Sequence, residues 1–98
     1  MTEMVMVRVY ILEAEKLMRP MLSYLHDAAK VRGVTVFRGI TGFGKSGHEH
    51  SSGLLDISLN LPIVVEFFDE QARIDDIIKH LQTMVEVGHI TFWPIHVA

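Results

Sequence analysis

Gly39-Ile40-Thr41-Gly42-Phe43-Gly44-Lys45-Ser46 spells G-x-x-x-x-G-K-[ST], the residue set with which a P-loop cradles phosphates. That chemistry needs the loop to open a helix, so that helix N–H groups and the lysine converge on one anion. Here GHEHSSG follows, which starts no helix, and no strand offers a partner carboxylate for magnesium. What survives is a gentler anion site, a concavity of backbone N–H groups around Lys45. His48, Glu49 and His50 form a second candidate, because imidazoles at i and i+2 beside a carboxylate can reach one zinc or copper ion. The plain alternative is a solvated polar loop, with His89 and His96 as further ligands only if the fold brings them near. Glu66 is a third candidate. Set among Val64, Val65, Phe67 and Phe68, its carboxylate either lies on the strand's outer face or pairs with a cation such as Arg8 or Arg38, the sharper reading being a ligand contact. No Ser-His-Asp spacing and no carboxylate pair suits acid–base work. There is no cysteine, hence no thiol nucleophile, no thiolate metal site and no disulfide framework. An enzyme is not expected.

The glycine-rich stretch Gly33 to Gly53 needs a scaffold to hold it. Met4 to Leu12 is apolar apart from Arg8, and so short and β-branched a run predicts a central strand. Pro20 suits a first helical turn, and Met21, Leu22, Leu25, Ala28 and Ala29 recur at helical spacing. The pattern predicts a helix over 20–32, stopped at Gly33 after Lys30 and Arg32. Val34 to Ile40 reads as a strand. Leu54 to Leu59 alternates in part. Leu61 to Phe68 reads as a buried strand that Pro62 starts or bends. Asp69 can cap a second helix striped by Ile74, Ile77, Ile78, Leu81, Met84 and Val85, with an Asp75–Lys79 pair on its surface. Gly88 ends it, and Ile90 to Val97 is a last strand that Pro94 confines to an edge or a bulge. There are no repeats, linkers or low-complexity tracts.

The order β-α-β-β-α-β predicts an α+β, ferredoxin-like sandwich: an antiparallel four-stranded sheet with two helices on one face. Its 98 residues suggest a single domain over 1–98. Hydrophobic residues make up 49%, so the uncovered sheet face is expected to meet another subunit. A formal net charge of −3 provides no basic field to recruit nucleic acid or an anionic membrane. No apolar run is long enough to span a bilayer, so direct membrane insertion is not expected. MTEMVMVRVYIL lacks the basic start and cleavage site of a signal peptide, so a cytoplasmic protein is expected.

GVTVFRGITGFG, preceded by RPMLSYLHDAAKVRG and followed by LPIVVEFFD, resembles the domain-of-unknown-function 190 family. That family is related in fold to the PII signal-transduction proteins. The PII likeness lies in Gly42-Phe43-Gly44 followed by Lys45 and Gly47-His48, in Leu61-Pro62 with an internal Glu66, and in Val87-Gly88-His89-Ile90. The resemblance implies a homotrimer with its sheets facing inward and a small-molecule effector in the cleft between subunits, an adenine nucleotide being the expected class. It places Gly42, Gly44 and Lys45 near phosphates at a loop base, with Gly88 and His89 facing them from the neighbouring subunit. Arg38 and Glu66 join them as ligand contacts. A docking loop, roughly 46–53 and including Ser46, Gly47, His48, Glu49 and His50, would seat on a target such as a membrane transporter or an enzyme. Four features depart from PII proteins. His89 stands in place of a phosphate-binding lysine, the glycine-rich segment after it is shortened, the docking loop is shorter, and their C-terminal arginines would fall beyond Ala98. A CutA-like metal-binding trimer using His48 and His50, or an assembly module without a small ligand, is the alternative reading.

Overall fold

The computed structural model describes residues 2–43, 49–51 and 60–98. Strand β1 (Thr2–Leu12) leads through a short 3₁₀ turn (Glu13–Glu15) into helix α1 (Met18–Ser23). Then come β2 (Gly33–Arg38), β3 (Thr41–Phe43), β4 (Glu49–Ser51), β5 (Pro62–Asp69), helix α2 (Gln71–Leu81) and β6 (Ile90–Val97). The main sheet has the order β2-β5-β1-β6 and is antiparallel throughout, while β3 and β4 form a separate hairpin. Without that hairpin the order is β-α-β-β-α-β, the α+β, ferredoxin-like sandwich expected from the pattern.

Strand placement follows composition. The central strands β1 and β5 are largely apolar, and Pro94, which has no N–H to give a neighbour, lies on edge strand β6 opposite Val5. Alternate residues of the central strands, Val5, Val7 and Val9 with Ile63, Val65 and Phe67, form one dry layer with Met21 and Leu25 below and Ile74, Ile77 and Leu81 of α2. Period-2 strands meet period-3.6 helices on a single side, so both helices lie on that face.

The helices differ from expectation at their ends. The first begins at Met18, and its last turn, Tyr24–Ala28, is a π turn in which Ala29 N–H donates to Tyr24 O at 2.9 Å. It stops before Gly33, which instead opens β2. Lys30 takes the left-handed backbone (φ 52°) that a helix exit requires. Arg73 of α2 replaces the missing amide donors by donating to the carbonyls of Ala29 and Lys30. Its guanidinium also pairs with Asp69 at 2.5 Å, so the buried Asp69 (1% exposed) secures both helices and accepts Glu70 N–H at 2.7 Å. The second helix ends at Leu81, not near Val85, and turns carry the chain to Gly88 (φ 94°). Asp75 accepts from Gln71 at 3.4 Å, where the sequence suggested Lys79. Among the described residues no helix is long and apolar enough to cross a membrane.

Candidate functional site

The ends of β1 and β2 and the starts of β5 and β6 meet at one end of the sheet, and the hairpin leaves from there. Backbone bonds fasten this corner. Glu13 N–H donates to Leu61 O at 2.9 Å, Gly39 N–H to Pro62 O at 2.7 Å, and Ala14 N–H to the Asn60 side-chain oxygen at 3.0 Å. Glu15 folds back to accept Leu12 N–H at 2.6 Å. One glycine of the glycine-rich stretch, Gly39, is required by close approach. A Cβ on Gly39 would stand 2.7 Å from the Pro62 ring and one on Gly42 3.4 Å from it. The chain can therefore pass over Pro62 at Gly39 only because that residue lacks a side chain, whereas at Gly42 a Cβ would make an ordinary contact with the ring. It pairs Thr41 with Ser51, Gly42 with His50 and Phe43 with Glu49, and leaves Ile40 and Phe43 each 77% exposed.

The expected ligand residues are divided by the pleat. Glu66 projects from the face away from the helices and accepts from Arg8 Nε at 2.6 Å. The Arg8 guanidinium also lies 5.4 Å from the centre of the Trp93 ring, and the Glu66 hydrogen bond raises its pKa further above the usual arginine value. Arg38 stands opposite Ile63, three positions from Glu66 on β5 and thus on the other face. It pairs with Glu13. Of the two cations the sequence offered Glu66, the register selects Arg8.

Gly88 and His89 precede β6, which β5 and β1 separate from β2; three strand spacings set them about 14 Å from Arg38 within one chain. His89 Nδ1–H donates to Tyr10 O at 3.0 Å, and His89 O accepts Tyr10 N–H at 2.8 Å, which fixes the ring against the end of β1. His96 lies opposite Glu3, seven residues along the strand and about 23 Å from His89, so within one chain these two cannot share an ion. No cluster of three or more metal-ligating side chains occurs among the described residues. Gly44, Lys45, Ser46, Gly47 and His48 lie outside the described residues, and Glu49 and His50 enter through their β4 backbone alone.

Glu13 was not singled out by sequence reasoning. It sits in the ordinary charged run Glu13-Ala14-Glu15, and only the fold brings it to Arg38, 25 residues away. Of the bend, bulge or strand start that the sequence allows at Pro62, the structure shows a strand start, and the ring also lies under Gly39.

The model of the domain-of-unknown-function 190 family, described as "Uncharacterized ACR", matches residues 4–97. A UPF0166 protein of Aquifex aeolicus (strain VF5) is 36% identical over 67 residues; the match covers 65% of this chain and 64% of that relative's length. Among solved structures, CPII of Thiomonas intermedia K12, a nitrogen regulatory PII-like protein bound to ADP, AMP and bicarbonate, superposes with a TM-score of 0.76 at 17% identity. That likeness covers 98% of this chain and 89% of CPII. CutA1 of Oryza sativa superposes with a TM-score of 0.66 at 14% identity, over 99% of this chain and 84% of that one. At such identities the likeness is one of fold.

Proposed function

The chain belongs to the domain-of-unknown-function 190 family, and from its PII-like fold we propose that it is a trimeric regulatory protein that binds an anionic small molecule between subunits. An adenine nucleotide is the leading ligand class, since CPII is described as binding ADP and AMP. The observation that carries the reading is the corner where all four main strands end. There the chain passes closely over Pro62 at Gly39 and enters a hairpin that holds two apolar side chains in water. A ligand beside such a hairpin can bias its position, and a hairpin with exposed Ile40 and Phe43 can report that position to a target protein. A ligand does so only through different affinities for two hairpin states. Lys45 and the backbone N–H groups around it are the proposed phosphate contacts, with Gly88 and His89 contributed by the neighbouring subunit. Residues 46–50, of which Glu49 and His50 belong to β4 and not to the loop expected from the sequence, are the proposed target contacts.

Trimerisation is supported by the sheet face that carries no helix. Met6, Tyr10, Phe37, Val64, Phe68 and Trp93 share it, and Phe37 and Trp93 are 49% and 37% exposed in the single chain. Apolar patches of that kind are ordinarily covered. The role is binding and signalling, without a catalytic step. The His48/His50 metal reading falls on a side chain outside the described residues and on another described through its backbone alone.

Calorimetric titration with ATP, ADP, AMP and cyclic nucleotides tests the ligand. Micromolar binding lost in Lys45→Ala is expected, and silence across the panel overturns the nucleotide reading. Light scattering should give the mass of three chains; a monomer at the same concentration overturns the trimer.

A further inference from the structure

Arg38 is the described cation nearest the hairpin, placed immediately before Gly39 at its foot, and it is already engaged. Its Nη2 donates to Glu13 Oε1. The two partners are not held alike. The Arg38 side chain is 59% exposed, while that of Glu13 is 24% exposed and its second oxygen, Oε2, is buried without a donor among the described residues. Glu13 is also tied down by its neighbours' backbone, through Glu13 N–H on Leu61 O and Ala14 N–H on Asn60. Arg38 can thus swing out into water with little desolvation, whereas Glu13 stays in the corner. If Arg38 leaves, a partly buried carboxylate loses its donor on one oxygen while the other already has none, and an abandoned buried charge is unfavourable.

We propose that Glu13 is a specificity-determining residue of the hairpin corner: an intramolecular competitor that an anionic ligand must displace from Arg38. The proposal rests on the reading of this corner as a ligand site. Its consequence is a threshold. Chloride or another anion making one weak contact does not compensate for the lost Glu13 pair. A phosphate or carboxylate that meets the guanidinium fork with two oxygens does. Glu13 therefore discriminates by anion class, and its removal should strengthen binding, the opposite of what removing a ligand contact does.

The test uses the full chain, with inorganic pyrophosphate as probe. Phenylglyoxal modification followed by mass spectrometry reads the freedom of each arginine, with exposed Arg19 as the internal standard. Arg38 should react several-fold more slowly than Arg19 in the unaltered protein and at a similar rate in Glu13→Gln. Pyrophosphate should bind several-fold more tightly to Glu13→Gln, with Glu13→Asp in between, and its affinity should drop in Arg38→Ala. Equal Arg38 reactivity with and without Glu13 overturns the proposal. So does pyrophosphate affinity that Glu13→Gln leaves unchanged or weakens, a result under which the ligand reading itself still stands. Absence of pyrophosphate binding to every variant overturns both.

Discussion

Under the helices, Val7, Val9, Val65 and Phe67 have essentially no contact with water, whereas one residue further along the same strands Arg8, Tyr10, Glu66 and Phe68 remain at least partly exposed. The strands and hydrogen-bond ladders are the same; only the pleat differs. The first face is finished within the chain, because α1 and α2 supply its other half. The second face combines aromatic and aliphatic side chains with one central ion pair, Arg8–Glu66, which has water on one side of it. Both faces contain an arginine–carboxylate pair, yet they differ in kind. Asp69–Arg73 is sealed at the carboxylate end and bridges two helices, while Arg8–Glu66 lies across neighbouring strands. Burial, not residue type, separates structure held within one chain from surface available to another.

Substitution on either side sharpens that contrast. The largest effect is expected from Phe67→Ala, which opens a cavity in the sealed layer and should cost about 3–5 kcal/mol in urea denaturation. Phe37→Ala, on the open face, should cost about 1 kcal/mol or less in the folding of the chain while weakening its self-association. Similar losses at both positions would mean that the two faces are equally buried in solution. Arg73→Met comes next. It leaves Asp69 charged and buried and removes the donors to the first helix exit, for an expected loss of about 3–5 kcal/mol by the same assay. A smaller effect is expected at Asp27, whose carboxyl His26 and Ser23 hold below its usual value of 3.8. A depressed carboxyl contributes stability above its unfolded pKa and loses it as pH falls through the folded one. The stability difference between the unaltered protein and Asp27→Asn should therefore be largest near neutral pH and shrink below about pH 4. Because this carboxylate is exposed on the surface, the difference should also shrink with added salt.

The elements were legible because their signals are local. Alternation in Leu61 to Phe68, the stripe from Ile74 to Leu81 and the position of Pro94 each act within a few residues. Boundaries were less legible where another element intervened. Gly33 looks like a helix stop in sequence, but Arg73, from the far helix, satisfies the carbonyls of Ala29 and Lys30 and lets Lys30 make the turn. At the candidate site, the density of glycines marks a special loop in the sequence, but that Gly39 in particular is required, and that the Pro62 ring is the reason, could not be read from it.

By itself the sequence determined the order of the four main strands and the two helices, the apolar character of β1 and β5, and Glu66 as a carboxylate in an apolar strand whose placement had to be accounted for, while the β3–β4 hairpin was not read from it. What it determined follows from the period and polarity of short stretches, whose physics is local. Tertiary structure alone decided that Glu66 pairs with Arg8, that Arg38 faces the other way toward Glu13, and that the expected ligand residues are divided between two faces and two edges of one sheet. Those outcomes depend on strand register, and a shift of one residue sends every side chain of a strand to the opposite face.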